Sequence, residues 1–165
     1  MFRTVTPVLV GMALAIGGCG EDAGSSAGDE PGQSRLTKEE YLAQADAICV
    51  ETVEEQRKVG DRIAEARPGN IRKLLPQLMR ANAKATRTGL GRLKRLRPPL
   101  ADQGQVDEYL EVVEQALDAS DAYVTAIRRK KRTSALRSAR EGRRLDGEQE
   151  ILADLLGLVD CRRLV

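Results

Sequence analysis

The sequence predicts an all-α fold, an antiparallel four-helix bundle closed by one disulfide. Three observations predict it. Ala, Leu, Arg and Glu dominate the chain, and all four favour helix. From Thr37 onward, apolar residues recur at steps of three and four in four stretches separated by breakers, while no useful β-type alternation occurs. The connections between these stretches are short, which makes successive helices antiparallel neighbours. The 165 residues leave one domain of about 130 once the N-terminal segments are set aside, enough for a single core. That core is aliphatic: the chain has no Trp and one Phe, near the N-terminus, so Tyr41, Tyr109 and Tyr123 supply the domain's aromatics.

Thr37 with Glu40 forms a capping-box start for the first helix. Its stripe reads Tyr41, Ala45, Ile48, Thr52, Val59, Ile63 and Ala66, with Gln56 filling one place. Arg67-Pro68-Gly69-Asn70 stops it and offers Asn70 as the next cap. The second stripe is Ile71, Leu75, Leu78, Asn82, Ala85, Gly89, Leu93 and Leu96, ended by Pro98-Pro99. The third is the cleanest: Val106, Leu110, Val113, Leu117, Ser120, Val124 and Ile127. The fourth is weaker: Ser138, Gly142, Leu145, Gln149, Leu152 and Leu156, with a break expected at Gly142 or Gly147 and a restart at Asp146 with Gln149.

The N-terminus carries an address. Arg3 is followed by an apolar run from Val5 to Ile16, and then by Gly17, Gly18 and Cys19. The run falls short of the roughly 20 residues of a membrane-spanning helix. A positive start, an apolar stretch and small residues make a secretory signal, and Ile16-Gly17-Gly18-Cys19 resembles the bacterial lipobox. That resemblance implies a signal peptide over 1–18, lipidation of Cys19 and a membrane anchor, with the domain on the extracytoplasmic side. An ordinary cleaved signal is the alternative. Residues 19–35 then read as a tether of Gly, Ser, Ala and acids, spanning roughly 20–25 Å, and 36–165 as the bundle.

With Cys19 lipidated, Cys49 and Cys161 remain, and two cysteines permit one pairing. A disulfide fits an exported domain; two separate buried thiols are the alternative. Cys49 lies roughly 18 Å along the first helix. Gly157 is placed to end the fourth helix and turn the chain back, so that Leu158 to Cys161 climbs about 10–13 Å in extended form to the same level.

Several chemistries are excluded by composition. Without histidine there is no Ser-His-Asp or Cys-His constellation, no Glu-x-x-His di-metal site and no His-ligated zinc or haem. No Cys-x-x-Cys, phosphate-cradling glycine loop or dinucleotide fingerprint occurs. Carboxylate-only catalysis remains conceivable, but Asp46, Glu114, Asp118 and Asp121 are expected on solvated flanks. The expectation is a protein that is not an enzyme and takes no metal or cofactor. A net charge of +2 also argues against nucleic acid as a partner.

Two features invite a functional reading. Arg128, Arg129, Lys130, Lys131, Arg132, Arg137, Arg140, Arg143 and Arg144 crowd the turn into the fourth helix, interrupted only by Glu141. By contrast, the basic end of the second helix (Arg80 to Arg97) faces an acidic start of the third (Asp102 to Asp121). The uncompensated turn is either a solvated cap or a grip on an anionic envelope polymer, a phospholipid or an acidic protein. The second feature is a waist of small and polar residues: Thr52, Gln56, Asn82, Ala85, Ser120 and Gln149. These residues fix register, or they line a cavity that would make the protein a small-molecule carrier.

The whole pattern resembles the small uncharacterised helical lipoproteins of high-GC Gram-positive bacteria. It shares their lipobox, acidic Gly/Ser tether, Tyr-x-x-x-Ala-Asp-x-x-Cys start (Tyr41 to Cys49) and terminal Gly-Leu-x-x-Cys (Gly157 to Cys161). The resemblance implies export and anchoring, and brings no assigned activity and no catalytic residue.

Overall fold

A computed structural model describes residues 34–162 and Leu164. They belong to the second of two compact units, Gln33–Val165. Residues 1–33 lie outside the described part, and with them the expected signal peptide, Cys19 and most of the expected tether. Four helices are present and no strand occurs among the described residues: α1 (Lys38–Glu65), α2 (Pro68–Leu93), α3 (Gln103–Arg128) and α4 (Arg132–Leu156).

Each helix boundary has a local cause. At α1 the capping box forms as expected: the Glu40 N–H donates to Thr37 Oγ1 at 3.2 Å and the Thr37 N–H to Glu40 Oε2 at 2.9 Å. The following start departs from expectation. Arg67, not Asn70, is the N-cap of α2, with Pro68 as the first helical residue. Proline serves there because its missing N–H would have no intrahelical partner anyway. Helix α4 is continuous through Gly142 and Gly147. Each glycine costs about 1 kcal/mol against alanine, less than the packing of the surrounding turns against α3 returns. Gly157 ends α4 in the left-handed region (φ 84°). The Leu158 N–H donates to Ala153 O and the Gly157 N–H to Asp154 O, a Schellman stop.

Helix α3 is the centre of the core. Val106, Tyr109, Leu110, Val113, Ala116 and Leu117 are all buried, and α3 packs most extensively against α4. Its stripe matches the expected one except at its upper end, where Ser120 is half-buried and Ile127 is 43% exposed. In α2 the expected line holds at Leu78, Gly89 and Leu93 but shifts by one residue at Asn82 and Ala85. Ala83, Thr86, Gly89, Leu90 and Leu93 are buried, while Asn82 and Ala85 are only half-buried. Gly89 sits where α1 and α2 touch: a Cβ there would lie 2.2 Å from Thr52 Oγ1.

The bundle closes through its tail. Helices α1 and α4 do not pack directly on one another among the described residues. The segment after α4 fills the seam between them, with Leu158, Cys161 and Leu164 buried to within 1%. Cys161 is joined to Cys49, with Cα atoms 5.1 Å apart. The expected pairing forms, but the segment is not extended; residues 159–162 run in bends and turns. Two fully buried leucines contribute about 1.5–3 kcal/mol each, so apolar burial holds the tail about as firmly as the cross-link does.

The domain also begins earlier than expected. Arg35 Nη1 donates to Pro98 O and to Gln103 Oε1, both at 2.9 Å, and the Leu36 N–H donates to Arg97 O. Arg35 is therefore part of the folded body rather than of the tether.

Candidate functional site

The turn between α3 and α4 is built by two helix ends. Helix α3 stops in a Schellman pattern like that of α4: the Lys131 N–H donates to Ala126 O at 2.9 Å and the Lys130 N–H to Ile127 O at 3.0 Å. Here the left-handed position is filled by Lys130 (φ 56°), the only non-glycine with positive φ among the described residues. A side chain at that position carries a steric cost that glycine avoids. Helix α4 then starts from Lys131 with no side-chain cap and no acid in its first turn. Cations at a helix start oppose its dipole, so the start of α4 is not optimised for stability, whereas Arg128 and Arg129 suit the dipole at the end of α3.

The nine expected cations do not form one cluster. Arg128, Arg129, Lys130, Lys131 and Arg132 are consecutive, exposed and without an ion pair among the described residues. Arg137 and Arg140 follow on exposed positions of α4. Arg143 and Arg144 lie roughly 17–18 Å along α4 from its start, away from the turn. Arg144 is also engaged within its own helix, 2.7 Å from Glu141 and 2.5 Å from Glu148. Those carboxylates hold its guanidinium above its ordinary pKa, and the same hydrogen bond holds Glu141 below the usual carboxylate range. The site that the fold assembles is the run 128–132.

Compensation elsewhere follows expectation in part. Arg87 pairs with Asp121 at 2.5 Å and Lys94 pairs with Glu114, both across α2 and α3. Arg92 turns instead to Glu51 of α1, crossing an open groove of about 450 Å³ between α1 and α2.

The expected waist is divided. Gln56, Asn82 and Ser120 line a shallow hollow of about 230 Å³ with Val59, Ile63, Leu78 and Met79. Thr52 does not reach it. Its hydroxyl donates to Ile48 O at 2.8 Å while it packs against Gly89. Gln149, 1% exposed, donates from Nε2 to Cys161 O at 2.9 Å, and the Tyr109 hydroxyl donates to the same carbonyl at 3.0 Å. Gln56 Nε2 donates to Leu164 O at 2.6 Å and to Thr86 Oγ1 at 2.9 Å. Thr86 Oγ1 lies 3.1 Å from the Leu164 carbonyl. Three of the six expected waist residues, Thr52, Gln56 and Gln149, thus serve the tail or the helix backbone. No buried side-chain nitrogen or oxygen lacks a partner among the described residues.

Asp46 departs from its expected place on a solvated flank. It is half-buried and its Oδ1 accepts the Asp160 N–H at 3.1 Å. Burial pushes its carboxyl above the usual range, partly offset by that hydrogen bond. Tyr109 is likewise raised well above an ordinary phenol, chiefly by burial. Sequence reading missed Thr86, Tyr109 and Leu164 as tail-binding residues. Leu164 carried a signal, since Leu158, Cys161 and Leu164 repeat every third residue beyond the helix. Tyr109 carried a weaker one, lying beside the Leu110 of the stripe.

No group of three or more His, Cys, Asp or Glu is placed to hold a metal ion among the described residues, and none of their helices is long and apolar enough to cross a membrane. Comparison of the chain with protein-family models, curated proteins and solved structures finds no match.

Proposed function

We propose that the protein is an exported lipoprotein, anchored through Cys19, whose four-helix domain binds an anionic partner through the α3–α4 turn. The order of apolar run, small residues and cysteine supports the anchor. The Cys49–Cys161 disulfide supports export, since such bonds persist in oxidising compartments. One observation carries the binding reading: five consecutive exposed cations, unpaired among the described residues, are held in a turn with a left-handed lysine and an uncapped helix start. Evenly compensated charge and a glycine would serve a purely structural cap better. A small-molecule carrier would need the waist free, and Thr52, Gln56 and Gln149 already have partners in the fold.

The test uses inorganic polyphosphate immobilised on beads. The protein is retained in low salt and released as salt rises, because the attraction is between exposed charges. Replacing Arg128, Arg129, Lys130 and Lys131 with Glu abolishes retention while the far-ultraviolet circular dichroism stays helical. Equal retention of parent and reversed protein would leave the turn a solvated cap. Separately, Cys19→Ser releases the protein from membranes or blocks its processing; an unchanged, membrane-bound product would remove the anchor from the proposal.

A further inference from the structure

Ile127 and Leu136 stand out beside the basic turn. Ile127 ends the apolar stripe of α3, yet 43% of it is exposed, and Leu136 on the second turn of α4 is 52% exposed. Neither is needed by the core, where Val124, Ala126 and Ala135 fill the adjoining positions. Ile127 immediately precedes Arg128. Leu136 follows Arg132 by four residues, about 6 Å along the helix axis. Along the chain, one large exposed aliphatic side chain thus stands on each side of the cationic run, and Leu136 lines a hollow with Arg137 and Arg140.

A dissolved polyanion attracts the cations and offers nothing to these two side chains. An anionic lipid surface answers both at once: headgroups meet Arg and Lys, and the acyl boundary receives the aliphatic flanks. The local charge is also free of opposition. No acid occurs between Asp121 and Glu141, and these two are already paired with Arg87 and Arg144. The stretch from 122 to 140 thus carries positive charge alone.

We infer that the anionic partner of the α3–α4 turn is a phospholipid surface, engaged by the cations 128–132 together with Ile127 and Leu136. The inference rests on the proposed anionic-partner reading and specifies it further.

The chain has no Trp, so a single introduced Trp reports on its own surroundings. The full chain carrying Ile127→Trp or Leu136→Trp is mixed with vesicles of phosphatidylglycerol and phosphatidylcholine, or of phosphatidylcholine alone. Val53→Trp, on an exposed position of α1 (39%), is the control. A fluorescence blue shift is expected at positions 127 and 136 with the anionic vesicles only. No shift is expected at position 53, and the four Glu reversals should abolish the shift at 127. Because the readout is local, attachment through the N-terminus cannot imitate it. An equal shift on phosphatidylcholine alone, or at position 53, overturns the inference. So does the absence of a shift where the same protein still binds immobilised polyphosphate, an outcome that leaves the broader anionic reading standing. Failure on both vesicles and polyphosphate overturns the two together.

Discussion

The tail seam and the α3–α4 turn treat polar groups in opposite ways. In the seam, the Cys161 and Leu164 carbonyls are buried and receive donors from Tyr109, Gln149, Gln56 and Thr86, drawn from all four helices. In the turn, five cations stand in solvent without an ion pair among the described residues, one of them, Lys130, in a conformation suited to glycine. An unpaired buried polar group costs about 1–3 kcal/mol, so a seam must satisfy each one. Exposed charges cost little individually and leave their position free for another purpose. The difference separates residues that hold the domain together from residues that stability does not explain.

The largest effect expected from breaking the seam comes from its cross-link. The bond joins positions 112 residues apart, and loop-closure entropy puts its contribution at about 4–5 kcal/mol. Reduction should lower the melting temperature markedly without undocking the tail at ambient temperature, because Leu158 and Leu164 remain buried. Thermal melts and proteolysis of the tail, with and without reductant, check both halves of this expectation.

A smaller loss is expected from Gln149→Leu, which removes one of two donors to the Cys161 carbonyl and should cost about 1–2 kcal/mol. Adding Tyr109→Phe strips the second donor and orphans the carbonyl. The pair should therefore cost more than the sum of the single changes, which a double-mutant cycle in urea measures. Additive losses would mean that water reaches the seam.

At the turn the sign reverses. Lys130→Gly should raise stability by about 0.5–1 kcal/mol, since glycine adopts positive φ without the clash that a Cβ meets. The same change should weaken retention on polyphosphate by removing one cation. A destabilising Lys130→Gly would show that the lysine side chain stabilises the turn, and would erase the contrast between the two regions.

The sequence revealed the helices well because spacing and breakers act locally: Thr37 with Glu40, Arg67-Pro68 and Gly157 each worked within one turn of chain. The phase of α2 was not legible. Asn82, Ala83, Ala85, Thr86 and Gly89 are all small or polar, so hydrophobicity does not choose between neighbouring faces. The buried Thr86 hydroxyl finds a partner in a carbonyl 78 residues away. The continuity of α4 escaped for a related reason, since its glycines are weak breakers once α3 supplies the packing. The cations of the turn could be read directly, whereas the left-handed Lys130 and the exposure of Ile127 depend on how two helix ends meet. For the waist, the polar residues were visible but their partners, carried by the tail, were not.

The tail's place in the seam also bears on the order in which the chain matures. A chain emerging from its N-terminus exposes Cys49 long before Cys161 exists, and α3 with α4 can pair through nearer contacts first. During that interval Cys19 is the closer thiol, 30 residues away against 112. Loop closure alone favours that shorter, non-native pairing by about 1 kcal/mol. In the proposed lipoprotein, the thioether on Cys19 withdraws this competitor. The modification that fastens the protein to its membrane would then also ensure that Cys49 is still free when the last turn of the chain arrives.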